Sequence, residues 1–373
     1  MAGIYIHIPF CKQKCSYCDF HFSTTFSAYR DQLIAALIEE IKSRANYLGK
    51  QTIETIYFGG GTPSLLTEAE LKAIVDSIYK HYTVSPQIEF TLEANPDDIN
   101  EDQLLMWKAR GVNRLSLGVQ SFFQSDLDWM NRAHSAKESV ESMKLAKKHG
   151  FFLTTDLIYG LPNHTLDMLS QNIEQMVSLK PDHISAYCLT VEKGTALHKM
   201  IENHYLPVVG EDEQAEAFEL LVDILGKRGY QQYEISNFSK NNAYSKHNTN
   251  YWLGEHYLGI GPSAHSFNGV SRRWNVANNH QYMKKVSANE TYFTEEILSP
   301  KDSFNELLLT RLRTKWGVNL EDLLSIHQPD ASFYKQKENF LSQGLLVENK
   351  GVMSLTKKGK LQADYVASML FSL

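Results

Sequence analysis

The sequence predicts an α/β fold: an incomplete parallel (β/α)6-type barrel followed by a small helical, winged-helix-like module. Three observations carry this. Short β-branched runs alternate with longer helical patterns six times before residue 190, as a parallel sheet with crossover helices requires. The two further units that a closed eightfold barrel needs do not follow. Beyond residue 205 the rhythm changes, and from 301 it reads helix, helix, helix, hairpin, helix.

The first strand is "IYIHIPF" (4–10), and "YRDQLIAALIEEIKSRANYL" (29–48) follows with apolar residues at helical spacing. "TIYFGGG" is the second strand, with a helix over 67–80, and "IEFTLEANP" the third, with a helix over 100–109. "RLSLGVQSF", further helical segments, "FFLTTDLIYGLP", a helix near 165–178 and "HISAYCLT" complete the six units. A helix near 211–228 leads into "YQQYEISNFSK" and an Asn-, Tyr- and Gly-rich stretch. In the last module "GLLVENKGVMSLTKKGK" has the alternation and turn of a β-hairpin. Three parts result: a partial barrel over 1–230, a barrel extension over 231–300, and the small module over 301–373.

Bulk properties exclude several classes. With 43% hydrophobic and 21% charged residues in 373, the composition is that of a globular chain with a full-sized core. A net charge of −6 argues against nucleic-acid binding, which needs clustered Lys and Arg against phosphate. The last module carries 10 Lys and Arg against 8 Asp and Glu, so a lid or partner-docking surface is expected there rather than a DNA-reading wing. No apolar run is long enough to span a bilayer. The C-terminal "YVASMLFSL" suits at most a weak peripheral membrane contact. Cys11 follows the N-terminus too closely for a secretory leader, and four cysteines, three of them crowded together, make no disulfide framework. A cytoplasmic setting is expected.

Those three cysteines, in "HIPFCKQKCSYCDF" (7–20), have the spacing C-x3-C-x2-C through Cys11, Cys15 and Cys18. Spacing alone leaves two metal readings open. One is a zinc site closed by His21; the other is an iron–sulfur cluster on three thiolates. Cys188 is the remaining cysteine, in an apolar strand where a free thiol is commonly a small buried hydrophobe.

Other candidates fall at strand ends, where parallel α/β folds place their chemistry. Gly60, Gly61 and Thr62 in "FGGGTPS" let a backbone approach a ligand closely. Glu93 ends the third strand, Gln120 the fourth, and Asp156 lies in the fifth. Arg132 offers a planar fork to a carboxylate.

The cysteine triad just after the first strand of an alternating β/α chain resembles the radical SAM superfamily. The resemblance implies a 4Fe–4S cluster on Cys11, Cys15 and Cys18, with the fourth iron left for S-adenosylmethionine. It implies that Gly60, Gly61 and Thr62 receive the methionine amino group and Arg132 its carboxylate. Tyr17 would lie against the adenine, Tyr5 would contact the cofactor, and Glu93, Gln120 and Asp156 have the acceptor chemistry for the ribose. The longer string "IYIHIPFCKQKCSYCDF … YFGGGTPS … EANP … RLSLGVQSF … DLIYGLP" resembles the branch containing oxygen-independent coproporphyrinogen III oxidase. That oxidase has a further cysteine where this chain has Phe20, and an N-terminal extension where this sequence opens on its first strand. Both differences point away from porphyrinogen decarboxylation.

"KHNTNYW" matches the H-N-x-x-Y-W motif of a heme-chaperone branch of the same family, through His247, Asn248, Tyr251 and Trp252. A neutral imidazole is a good axial ligand for heme iron, and the two aromatics offer flat apolar faces. His265 in "YLGIGPSAHSF" is a candidate second ligand, with a structural role favoured. The resemblance implies heme held near the barrel mouth and passed to acceptors such as respiratory enzymes, by a monomer or a ligand-dependent dimer. The alternative is a radical SAM enzyme acting on coproporphyrinogen III or another tetrapyrrole.

Overall fold

The computed structural model describes residues 2–372. Six strands form the predicted parallel series: β1 (Ala2–Ile8), β2 (Ile53–Gly60), β3 (Val84–Ala94), β4 (Arg114–Gln120), β5 (Phe152–Tyr159) and β6 (His183–Cys188). Each pairs in parallel with the next. β1 stops two residues short of the predicted end, because Pro9 has no N–H to continue a ladder.

The sheet then continues past both edges of the series. β7 (Gln231–Gln232) and β8 (Asn237–Ser239) add antiparallel strands beside β6. On the other side β9 (His256–Ile260) lies parallel to β1, and β10 (His265–Phe267), β11 (Ser271–Asn275) and β12 (Phe293–Ile297) extend it as an antiparallel meander. The sheet therefore has 12 strands, and a seventh parallel strand flanks β1.

Crossover helices cover the outer face at Arg30–Ser43, Glu68–His81, Glu101–Ala109, Ala136–Lys148 and Leu166–Ser178. All but the first start at a side-chain cap (Thr67, Asn100, Ser135, Thr165), with reciprocal boxes at Thr67/Glu70 and Ser135/Glu138. Even-numbered residues of β1 (Ile4, Ile6, Ile8) face the helices and join the main apolar core, while odd-numbered ones turn inward. The inward face is polar. Tyr5, Tyr57, Glu93, Ser116, Asp156 and Ser185 meet there across neighbouring strands.

One buried carboxylate ties the meander to the barrel. Glu40, on the first crossover helix, is fully buried and accepts from Gly261 N (2.8 Å), Asn275 Nδ2 (2.8 Å) and Tyr282 OH (2.6 Å), with Arg44 Nη1 at 3.3 Å. A charge so far from water is tolerable only with this many partners.

The C-terminal module has its own core of Phe304, Leu308, Phe333, Phe340, Met353 and Val366. Helices Pro300–Arg311, Leu320–Ile326 and Ala331–Ser342 pack on the hairpin Leu346–Asn349/Val352–Leu355, whose second strand also pairs with Val318–Asn319. This is the winged-helix-like arrangement expected from the order of elements. No helix among the described residues is long and apolar enough to cross a membrane.

Candidate functional site

The cysteine loop leaves β1 at Pro9 and stays on the barrel rim. It is held by Cys11 N to Ser23 O (3.1 Å), Ser16 N to Met130 O (3.0 Å) and Asn131 Nδ2 to Lys14 O (2.7 Å). Two sulfurs receive polar hydrogens: Thr62 Oγ1 donates to Cys11 Sγ (3.5 Å) and Arg132 Nη1 to Cys15 Sγ (3.4 Å). Burial raises the Cys11 thiol and lifts Cys18 to about 11. The same Arg132 nitrogen reaches Tyr17 OH (3.4 Å), while Nη2 donates to Asn95 Oδ1 (2.6 Å) and Gly118 O (2.9 Å). Its Nε is buried with no partner among the described residues.

Two glycines make the approach to this loop narrow. Gly60 has φ +103°, and a Cβ there would lie 2.4 Å from His7 Nδ1. A Cβ on Gly61 would lie 2.7 Å from the carbonyl oxygens of Ile8 and Phe10. Thr62 follows, its N–H donating to Phe10 O (2.6 Å). The Gly-rich segment thus lies directly against the root of the cysteine loop, and only residues without a side chain fit.

Below the rim sit two carboxyls. Glu93 accepts from Tyr57 OH (2.7 Å) and Gly60 N (3.2 Å), yet burial still pushes it up to about 7. Asp156 is also lifted to about 7, by burial and then by the nearby Glu93 charge, with Ser185 and Ser116 (3.5 Å) as hydroxyl partners. Gln120 ends β4 with φ +67°, and its amide nitrogen and the Arg132 guanidinium flank the space that a Cβ on Gly118 would fill, 2.9 and 3.0 Å from it. A non-glycine residue in that conformation is strained, which concentrates at binding sites. Tyr5 reaches His7 Nδ1 (3.2 Å), and His7 Nε2 donates to His21 O (2.8 Å); burial brings His7 down to about 4.

The predicted residues Cys11, Cys15, Cys18, Tyr17, Gly60, Gly61, Thr62, Glu93, Gln120, Arg132 and Asp156 therefore gather at one end of the barrel. Sequence reasoning missed Tyr57, Asn95, Gly118, Ser116 and Ser185, which hold the others in place. Asn95 was visible in "EANP"; the serines carry no signal apart from their register opposite Glu93 and Asp156.

The H-N-x-x-Y-W segment is elsewhere. The expectation of a place near the mouth is corrected: the helix Lys246–Leu253 closes the opposite end, at the strands' N-termini. His247 Nδ1 bonds Thr55 Oγ1 (2.7 Å), its Nε2 bonds Tyr251 OH (2.9 Å), and its ring lies 3.2 Å from a Cβ built on Gly3. Both ring nitrogens are engaged, and burial pulls the imidazole down to about 3. The Lys246 and His247 N–H groups donate to Glu89 (3.0 and 2.9 Å), which Arg114 faces at 3.5 Å. Asn248 begins the helix by donating its N–H to Ser245 Oγ (3.3 Å), and Trp252 lies under Arg313 at 5.4 Å.

The residues present fit a cluster held by three sulfurs. Soft donors, two hydrogens aimed at sulfur and an orphaned guanidinium Nε suit an anionic iron–sulfur group with a carboxylate-bearing ligand. Among the described residues no three His, Cys, Asp or Glu side chains converge on one ion. Thiolates that bind separate irons need not converge. A closed Cys3His zinc set is not assembled among the described residues, and His21 Nε2 bonds Asn279 Oδ1 (2.7 Å). Cys188 bonds Tyr159 and takes no part in the triad.

Comparison with known proteins agrees with this geometry. The radical SAM superfamily profile matches residues 5–176, and the HemN C-terminal domain profile matches 298–361. The solved coproporphyrinogen III oxidase HemN from Escherichia coli superposes with a TM-score of 0.87 at 22% identity, over 100% of this chain and 90% of that one. Fold and cysteine rim define a radical SAM-type protein. At the level of whole chains, the heme chaperone HemW of Bacillus subtilis is 34% identical over 371 residues, 98% of each chain. That of Lactococcus lactis is 36% identical over 360 residues, 95% of this chain and 93% of its own. The chain belongs to the HemW family.

Proposed function

We propose that this protein binds heme and delivers it to heme-requiring acceptors, on a frame that carries a 4Fe–4S cluster and S-adenosylmethionine. The observation that carries the reading is end-to-end similarity to proteins named heme chaperones, at 34–36% identity. Cys11, Cys15 and Cys18 would hold the cluster. Gly60, Gly61 and Thr62 would take the methionine amino group, Arg132 its carboxylate, and Tyr17 the adenine. Glu93, Gln120 and Asp156 would hold the ribose, with Tyr5 beneath. Bound together and reduced, the cluster and the sulfonium supply one-electron chemistry. The chain's own contribution is to orient the ligand on a rigid rim and to keep water from two carboxyls that burial has raised.

The heme-contacting group of this reading is His247, Asn248, Tyr251 and Trp252. His247 Nε2 becomes a free donor once the Tyr251 hydroxyl turns away from it. The setting is cytoplasmic, with acceptors that include membrane respiratory enzymes met by peripheral contact, and with dimerisation governed by ligand.

The test is an anaerobic hemin titration of the cluster-reconstituted full chain, read by its Soret band, followed by mixing with an apo-cytochrome acceptor. Saturation near one heme per chain and transfer of the Soret signal to the acceptor are expected. Binding that never saturates would overturn the reading.

A further inference from the structure

We propose that Asn95 is a positioning residue of the cysteine rim. Its amide directs one hydrogen from Thr62 and one from Arg132 onto the sulfurs of Cys11 and Cys15, and so raises the reduction potential of the cluster those sulfurs hold. The inference rests on the cluster reading above and gives a task to a residue outside the predicted set.

Donor and acceptor chemistry fixes the direction of each bond. A guanidinium has N–H donors and no acceptor, so the Asn95 side chain must present its oxygen to Arg132. That contact, from Nη2 to Oδ1, is 2.6 Å. The amide nitrogen is thereby turned to the other side, where it donates to Thr62 Oγ1 at 3.5 Å. The Thr62 oxygen accepts that N–H, and its own hydrogen goes to Cys11 Sγ at 3.5 Å. The turn beneath is stiff. Asn95 is extended (φ −91°, ψ 152°), as a residue before proline must be, and its carbonyl accepts from Asp98 N at 3.0 Å.

The same amide sets the guanidinium. Nη2 is held between Asn95 Oδ1 and Gly118 O (2.9 Å), which fixes the plane and leaves Nη1 facing Cys15 Sγ (3.4 Å) and Tyr17 OH (3.4 Å). The Nη hydrogens then all have acceptors, and Nε alone has no partner among the described residues. Cys18 takes its hydrogen from the Phe20 backbone N–H instead. Two of the three sulfurs therefore depend on Asn95 for the aim of their donors. Hydrogens aimed at sulfur favour the more negative, reduced state of a cluster, so they raise its potential.

The test is an EPR-monitored redox titration of the cluster-reconstituted full chain, with iron and sulfide content and circular dichroism measured for each variant. Asn95→Ala should make the one-electron reduction equilibrium about tenfold less favourable, a midpoint about 59 mV more negative. Thr62→Val should also lower the midpoint. Asn95→Asp keeps an acceptor for Arg132 but has no N–H for Thr62, whose hydroxyl then donates to the carboxylate. Thr62→Val added to Asn95→Asp should therefore cause no further shift. A merely structural Asn95 would leave the two changes additive. A parent that loads its cluster while Asn95→Ala keeps the parental midpoint would overturn the inference and leave the cluster reading intact. An equal Thr62→Val shift in both backgrounds would do the same, and decides the matter if Asn95→Ala fails to load. A parent that takes up no cluster would overturn the cluster reading itself.

Discussion

Tyr57 joins the two ends of the barrel: its hydroxyl donates to Glu93 at 2.7 Å, and its ring stacks on His247 with centroids 5.0 Å apart. One side chain thus touches both the carboxyl below the cysteine rim and the imidazole of the floor. Tyr57→Phe keeps the stack and removes the bond. Stability should fall by about 1–2 kcal/mol, and Glu93, deprived of a donor to its ionised form, should titrate higher still. Chemical denaturation and infrared titration of the carboxyl band measure the two effects. An unmoved Glu93 would mean that the hydroxyl does not hold it.

His247→Ala deletes two buried hydrogen bonds and leaves a void against Gly3 and Thr55. A cost of about 3 kcal/mol is expected, whatever the effect on heme. Urea unfolding of the heme-free chain reads it. A loss below about 0.5 kcal/mol, the range of a neutral surface substitution, would contradict the locked floor.

Gly60→Ala puts a Cβ 2.4 Å from His7 Nδ1 on a backbone at φ +103°. The turn must shift, at a cost of about 1–3 kcal/mol. Because this turn abuts the root of the cysteine loop, iron loading on reconstitution and binding of S-adenosylmethionine should both fall sharply. Equilibrium dialysis with the labelled cofactor, beside iron analysis, checks both. Gly49, at φ +61° with open space around it, is the control for backbone strain without the clash.

Acid stability has two opposed parts. Glu93 and Asp156, raised to about 7, hold protons in the fold that the unfolded chain releases, so they take away stability as pH rises towards 7. His7, His134 and His247, lowered to about 4, about 4 and about 3, and His183, also held low by complete burial, are neutral in the fold, so their stability is lost as pH falls below the ordinary histidine value. Each group contributes a slope of about 1.4 kcal/mol per pH unit within its window, and the carboxyls offset part of the histidine loss between pH 4.5 and 6.5. Glu93→Gln with Asp156→Asn removes that offset and should lose up to about 2.7 kcal/mol per pH unit more than the parent as acid is added. Urea midpoints at three pH values decide it, and equal slopes in the parent and the double variant would refute the assignment.

The six βα units were legible because each repeats a local pattern, and the helix starts at Thr67, Ser135 and Thr165 are set by side chains within a few residues. The rim residues were legible because their strand ends fall in step with the cysteines. β9 was not. "HYLGI" is five residues long, and its place beside β1 depends on a pairing some 250 positions away in sequence. For the same reason the level of His247 in the barrel could not be read. Thr55 and Gly3 meet it only through the register of β1 on β2.

The helix Lys246–Leu253 is gripped at both ends. Its first N–H groups rest on Glu89 of the barrel, while Arg311 of the C-terminal module bonds the Leu253 carbonyl at 2.9 Å and Arg313 covers Trp252. Neither apolar core can come apart without releasing an element that the other needs. The two modules should therefore melt as a single cooperative unit, and cutting away the smaller one should loosen hydrogen exchange at the base of β1 and β2.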